Sequence, residues 1–195
     1  MRRVALTIDT EHPDRPARPG NVERILDTLA ATGTRATFFV QGRWAEAYPG
    51  LARRIAAEGH VVGNHGRAHV SLRMLSDDGV REMVSHAETT IRRVTGVDPR
   101  PWFRSPHDDV SEDRPITDLL AELGYRQVGW SVNPCDWDAA CTPQDVANGV
   151  VDGCSEAGDG AVVLLHSWPD ATADALPRIV ETLRADSNLV GVDEL

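Results

Sequence analysis

The feature that most constrains this chain is an alternation: short apolar runs and helical patterns take turns from one end to the other. Residues 3–8 (RVALTI), 36–40 (ATFFV), 60–63, 101–104, 125–132 and 161–165 (AVVLL) read as strands, with a last strand near 189–192. Between them apolar residues recur three and four apart, the period of a helix with one buried face. Asn21 caps such a helix, with Val22, Ile25, Leu26 and Leu29 facing inward and Gly33 at its end. Further helices are expected over 51–57, 76–95, 116–123, 142–156 and 175–184, the one from Ser76 turning Val80, Met83, Ile91 and Val94 inward. Strand and helix repeated in this way require parallel strands with crossover helices, hence an α/β sheet or barrel. About seven such units fit, which is tight for a complete eight-unit barrel. No linker, low-complexity tract or repeat interrupts the 195 residues, so one domain over 1–195 is expected.

Composition narrows the function classes. Thirty acidic residues against 20 basic ones give a net charge of −10, which repels phosphate backbones and argues against nucleic acid as a partner. Every basic residue is arginine, so lysine Schiff-base and P-loop lysine chemistry are excluded. No apolar run approaches the roughly 20 residues that span a bilayer, so no membrane role is expected. The start, MRRVALTIDT, lacks the apolar stretch of a signal peptide, and the expected location is cytoplasmic. Cys135, Cys141 and Cys154 are odd in number and form no C-x-x-C pair, which fits free thiols in a reducing compartment.

In parallel α/β folds functional groups sit just past the C-terminal ends of the strands. Here those positions hold Asp9, Thr10, Glu11 and His12; His65 and His69; Arg104, Pro106, His107, Asp108 and Asp109; Asn133, Asp136, Trp137 and Asp138; and His166. His65 and His69 form an H-x-x-x-H, which on a helical turn would put two imidazoles on one face, suited to one cation. Asp9 and Glu11 alternate, so on an extended strand end both carboxylates point to one side. One carboxylate can then hold a metal while the other takes a proton from water. His166 either bonds locally or faces the site to protonate a leaving group. Arg104 and Asp136 read either as an ordinary ion pair or as braces for a base and an acid. Trp102, Trp130, Trp137 and Trp168 fall near the same rims, where aromatic faces suit sugar rings, although tryptophans more often serve the core.

These residues resemble the polysaccharide deacetylase family with the NodB homology domain, carbohydrate esterase family 4. The blocks occur in order over nearly the whole chain: LTIDTE at 6–11, RATFFV at 35–40, EGHVVGNHGRAH at 58–69, FRSP at 103–106, NPCDW at 133–137 and VLLH at 163–166. The resemblance implies a distorted, incomplete (β/α)7-type barrel and one divalent metal, usually Zn2+, sometimes Co2+ or Ni2+. It implies hydrolysis of an N-acetyl or similar amide, commonly on N-acetylglucosamine units. By position, Asp9 matches the catalytic base, His65 and His69 the metal histidines, Arg104 the residue bracing the base, and His166 the general acid. Asp136 and Trp137 match the block that lines the site and supports the acid; Leu164 matches the acetyl pocket and Pro106 falls within the FRSP block as a substrate-side residue.

This sequence departs from the family pattern in two places. Thr10 stands where a second, metal-binding aspartate is usual, so Glu11 is expected as third ligand, with His12 or Asp9 as fallback. Asn133 stands where an aspartate is frequent. The expected substrate is a small N-acylated amino sugar or related amide. A hydrolase of cyclic imides or ureides on the same scaffold, and a catalytically silent carbohydrate-binding module, are the competing readings.

Overall fold

The computed structural model describes residues 1–13, 18–108 and 116–195, with nothing of the Asp108 side chain. Asp109 of the expected rim set lies outside the described residues. Strands β1 (Arg2–Thr10), β2 (Thr37–Val40), β3 (Val61–Asn64), β4 (Trp102–Phe103), β5 (Arg126–Gln127), β6 (Ala161–His166) and β7 (Ser187–Val190) form one parallel sheet. Its order is β5-β4-β3-β2-β1-β6. β6 covers one edge of β1 from Val4 to Asp9, while β2 and β7 share the other, β2 along Thr7–Thr10 and β7 along Arg2–Ala5. Among the described residues seven α-helices join or flank the strands: α1 (Asn21–Thr32), α2 (Gly42–Ala47), α3 (Pro49–Ala57), α4 (Asp77–Thr95), α5 (Ile116–Glu122), α6 (Pro143–Ala157) and α7 (Asp170–Arg184). None of the described helices is long and apolar enough to cross a membrane.

The expected strand over 125–132 is instead split. Arg126 and Gln127 pair with β4 at one end of the sheet, whereas Val132 pairs with Val163 of β6 at the other. The stretch between them crosses from edge to edge, so the sheet curls into a barrel closed at that seam by irregular chain. This is the distorted, incomplete (β/α) barrel expected from the resemblance.

Side-chain alternation divides the barrel into two surfaces. Val4, Leu6 and Ile8 of β1, Phe38 and Val40 of β2, and Val163 and Leu165 of β6 face outward into the main core with Ile25, Leu26 and Leu29 of α1 and Leu176, Ile179 and Val180 of α7. The inward residues of β1 are Ala5, Thr7 and Asp9, passing from apolar to charged toward the C-terminal rim. Ala5 packs with Val61, Val192, Trp102 and Val128 and plugs the far end of the barrel. Trp102 is half-buried and packs against this cluster. A second core under α4 and α5 holds Leu72, Val80, Val84, Phe103, Leu120 and Tyr125.

Local signals explain most helix limits. Gly33 ends α1 in the left-handed conformation, Ser76 caps α4 through the Gly79 N–H, and Thr142 with Asp145 forms a capping box on α6. α4 buries Val80, Val84, Ala87 and Ile91, leaving Met83 and Val94 half-buried. α7 starts at Asp170, ahead of the expected 175, and carries Pro177 inside it. The six-residue α2 was not expected, being too short to show a periodic face.

Candidate active site

The ends of β1, β3 and β6, with the segments after β4 and before α6, surround a cleft of about 380 Å³. Its walls include Asp9, Glu11, His65, His69, Leu164 and His166, with Trp130, Trp137 and Trp168 around them. Ser105 and His107 also border it, while Pro106 between them is buried and does not.

His65 and His69 do meet, but on no helix. Residues 65–69 form a bent loop after β3, turned by Gly66 at φ 71°, a conformation that suits glycine. The Asn64 Oδ1 accepts the Gly66 N–H at 2.8 Å and sets this turn. Glu11 Oε2 lies 3.1 Å from His65 Nε2 and 2.8 Å from His69 Nε2. Among the described residues Glu11, His65 and His69 bring one ligand atom each to within 4.8 Å of one another. His65 Nδ1 donates to the Arg104 carbonyl at 2.8 Å, so Nε2 is the nitrogen turned toward the group. Two imidazoles and a carboxylate are a donor set that fits a divalent ion of the zinc type. Burial would raise the Glu11 carboxyl, but hydrogen bonds with His12, His65 and His69 hold it far below the usual carboxylate range. Thr10 points to the opposite side of the strand and donates to the Phe39 carbonyl, so it contributes nothing to the group.

Asp9 and His166 are partners across the β1–β6 ladder, which puts them side by side at the rim. Each is held by a different charged residue, and Arg104 and Asp136 do not pair with each other. Arg104, fully buried, donates from NH1 to Asp9 Oδ1 at 2.9 Å and to Thr7 Oγ1 at 2.7 Å. Its Nε and NH2 reach the Val128 and Gly129 carbonyls at 3.2 and 3.0 Å, and the guanidinium lies 4.2 Å from the Phe39 ring centre. A buried cation is tolerated because every donor side finds charge or a carbonyl. The seam that closes the barrel thus also anchors the arginine.

Asp136 Oδ1 accepts His166 Nδ1–H at 2.7 Å, while Oδ2 accepts the His166 backbone N–H at 2.7 Å and the Thr172 hydroxyl at 2.5 Å. Burial opposes protonation of His166, but the Asp136 hydrogen bond and charge outweigh it, with Asp9 and Glu11 adding to them. The imidazole is pushed up to about 9. With Nδ1 committed to Asp136, Nε2 is the nitrogen left to serve the cleft. Thr7 was legible in principle, two residues before Asp9 on the same inward row. Thr172 carried no sequence signal, since only folding brings α7 against Asp136. Cys135, Cys141 and Cys154 are all unpaired.

Residues 1–128 match the polysaccharide deacetylase family. The chain belongs to that family. A peptidoglycan-N-acetylglucosamine deacetylase of Bacillus cereus is 33% identical over 185 residues, covering 93% of this chain and 63% of that protein. A chitooligosaccharide deacetylase of Azorhizobium caulinodans is 31% identical over 157 residues, covering 80% and 72%. This polysaccharide deacetylase chain therefore spans less than two thirds of the length of the B. cereus relative. A CE4-family pseudoenzyme from Bacillus anthracis superposes with a TM-score of 0.87 at 26% identity, over 100% of this chain and 65% of that one. Membership of the polysaccharide deacetylase family, with this fold, is therefore shared by an inactive protein, and the case for activity rests on the residues in the cleft.

Proposed function

We propose that the chain is a metal-dependent N-deacetylase that hydrolyses the N-acetyl amide of an amino-sugar unit. The observation that carries this reading is the convergence of Glu11, His65 and His69 on one point beside the Arg104-held Asp9 and the Asp136-held His166. Glu11, His65 and His69 would hold the metal, for which Zn2+ suits the donors best. A divalent ion bound there supplies Lewis acidity, polarising the amide carbonyl and acidifying water.

The chain's own groups do the proton work. Asp9 takes a proton from the attacking water as its oxygen bonds to the acyl carbon. His166 Nε2 gives a proton to the amine nitrogen as the C–N bond breaks, releasing carboxylate and free amine. Arg104 keeps Asp9 aimed; Asp136 keeps His166 oriented and protonated. Leu164 and Trp137 offer an apolar wall for the acetyl methyl and a half-exposed ring face for a sugar. The presence of both an acid and a base supports catalysis over mere glycan binding, which needs neither.

The substrate class follows what the two relatives' names share, an acetylated amino-sugar unit, and a cleft of about 380 Å³ suits one ring at a time. The reading extends to small acetylated sugars as substrates. Acetate release is to be measured over N-acetylglucosamine, its short oligomers and insoluble polymer, with Asp9→Asn and His166→Ala as comparisons. Each variant is expected to lose at least a hundredfold in kcat. Wild-type turnover by either variant at equal metal content overturns the role assignment, and activity on insoluble polymer alone overturns the small substrate.

A further inference from the structure

Glu11 is held differently from the two histidines beside it. As the longer of the two acidic side chains it has more freedom to lose than an aspartate, yet its oxygens are divided between two sets of neighbours. Oε2 faces His65 and His69. Oε1 accepts Trp168 Nε1–H at 3.3 Å and lies 3.1 Å from His12 Nε2. We propose that Trp168 and His12 are positioning residues that clamp Glu11 Oε1, so that the carboxylate serves the metal through Oε2 alone. This rests on the metal reading above and adds to it the device by which a glutamate replaces the expected aspartate.

The clamp is built from three parts of the chain. His12 adopts φ 52°, a left-handed conformation uncommon for a residue with a Cβ. Strain of this kind persists where surrounding contacts impose it. Here the turn brings the imidazole back against its own neighbour's carboxylate. The ring lies 4.5 Å from the His69 ring and meets Trp168 edge-on, at 6.4 Å and 81°. Trp168 is anchored in turn. Asn21, buried at the start of α1, donates from Nδ2 to the Trp168 carbonyl at 3.1 Å and to Asp170 Oδ1 at 2.8 Å. The Ser167 N–H donates to the Asp9 carbonyl at 3.1 Å, tying the loop after β6 to the end of β1. Trp168 follows His166 by two residues, so one loop delivers both the proposed acid and a donor that fixes the proposed ligand.

A donor on the non-ligating oxygen orients a carboxylate ligand, and losing such a partner typically costs 10- to 100-fold in metal affinity. The test is zinc affinity of the whole chain without substrate, by competition with a chromophoric chelator. Trp168→Phe keeps the ring and removes the donor, and is expected to weaken zinc about tenfold or more, with the metal-free melting temperature unchanged. His12→Phe is expected to weaken it likewise, and His12→Gln, which keeps an N–H, to retain wild-type affinity. Unchanged affinity in both phenylalanine variants overturns the clamp and leaves the deacetylase reading standing, because wild type still binds zinc and releases acetate. A loss that tracks a fall in metal-free stability also overturns it. Wild type that binds no zinc overturns both readings.

Discussion

His166 shows how the same side chain becomes an acid or a mere strand end according to what holds it. Buried without a partner it would shed its proton below neutrality. Asp136 reverses that, and the imidazole stays protonated up to about pH 9. Asp136→Asn keeps the shape and removes the charge, so burial then acts against a weaker opponent and the histidine loses its proton at lower pH. The alkaline limb of the kcat/KM profile is expected to move to lower pH relative to wild type; an unmoved limb would separate Asp136 from the acid. The sign for stability follows from the same shift. His166 contributes stability that is fully present below its ordinary value of 6.5 and is lost as pH rises through about 9. At this scale the sequence pointed to side chains that the fold brings together, Asp9, Arg104, Asp136 and His166, because each lies at or just past the end of an apolar run. Their pairing was not legible, and the choice of Asp9 for Arg104 and His166 for Asp136 depends on which strands become neighbours.

At the scale of elements, the period-two row does most of the positioning. Along β1 the outward side chains bury against helices while Ala5, Thr7 and Asp9 line the barrel, so the proposed base sits on a strand buried without a break from Val4 to Thr10. β3 adds a constraint. A Cβ on Gly63 would stand 2.6 Å from the Phe39 ring and 3.2 Å from the Trp102 carbonyl. Phe39 in turn lies under the Arg104 guanidinium. Gly63→Ala is expected to cost about 1–3 kcal/mol in chemical denaturation, the usual range for overpacking a filled interior. It should also lower turnover by displacing the ring that supports Arg104; an unaltered stability would mean that the ring moves freely. The strand–helix sequence was readable because each long element repeats its own period. The segment 125–132 misled because its apolar residues serve two sheet edges in succession, and the H-x-x-x-H misled because a glycine-turned loop brings the two rings together as well as a helical turn does.

Across the whole molecule the proposed metal group ties β1 to the loop after β3, two parts of the chain joined by a parallel ladder only through β2. A ligand that binds the folded state alone stabilises it, by about 2.7 kcal/mol at a hundred times its Kd. The metal-free protein is expected to melt at lower temperature than the zinc-loaded one, and Glu11→Ala to abolish the difference; a shift that survives this substitution would place the ion elsewhere. The order of strands and helices, the loading of the C-terminal rim with Asp9, Glu11, His65, His69, Arg104, Asp136 and His166, and the absence of lysine chemistry were all determined by the sequence alone, because periodicity and composition are local properties. The closure of the barrel by an irregular seam, the division of Glu11 between its two sets of neighbours, the burial of Pro106, the packing of Trp102 against Ala5 and Val61, and the reach of Thr172 to Asp136 were decided only by tertiary structure. Each depends on contacts between segments far apart in the chain, and no local pattern specifies the distance at which two such segments will meet.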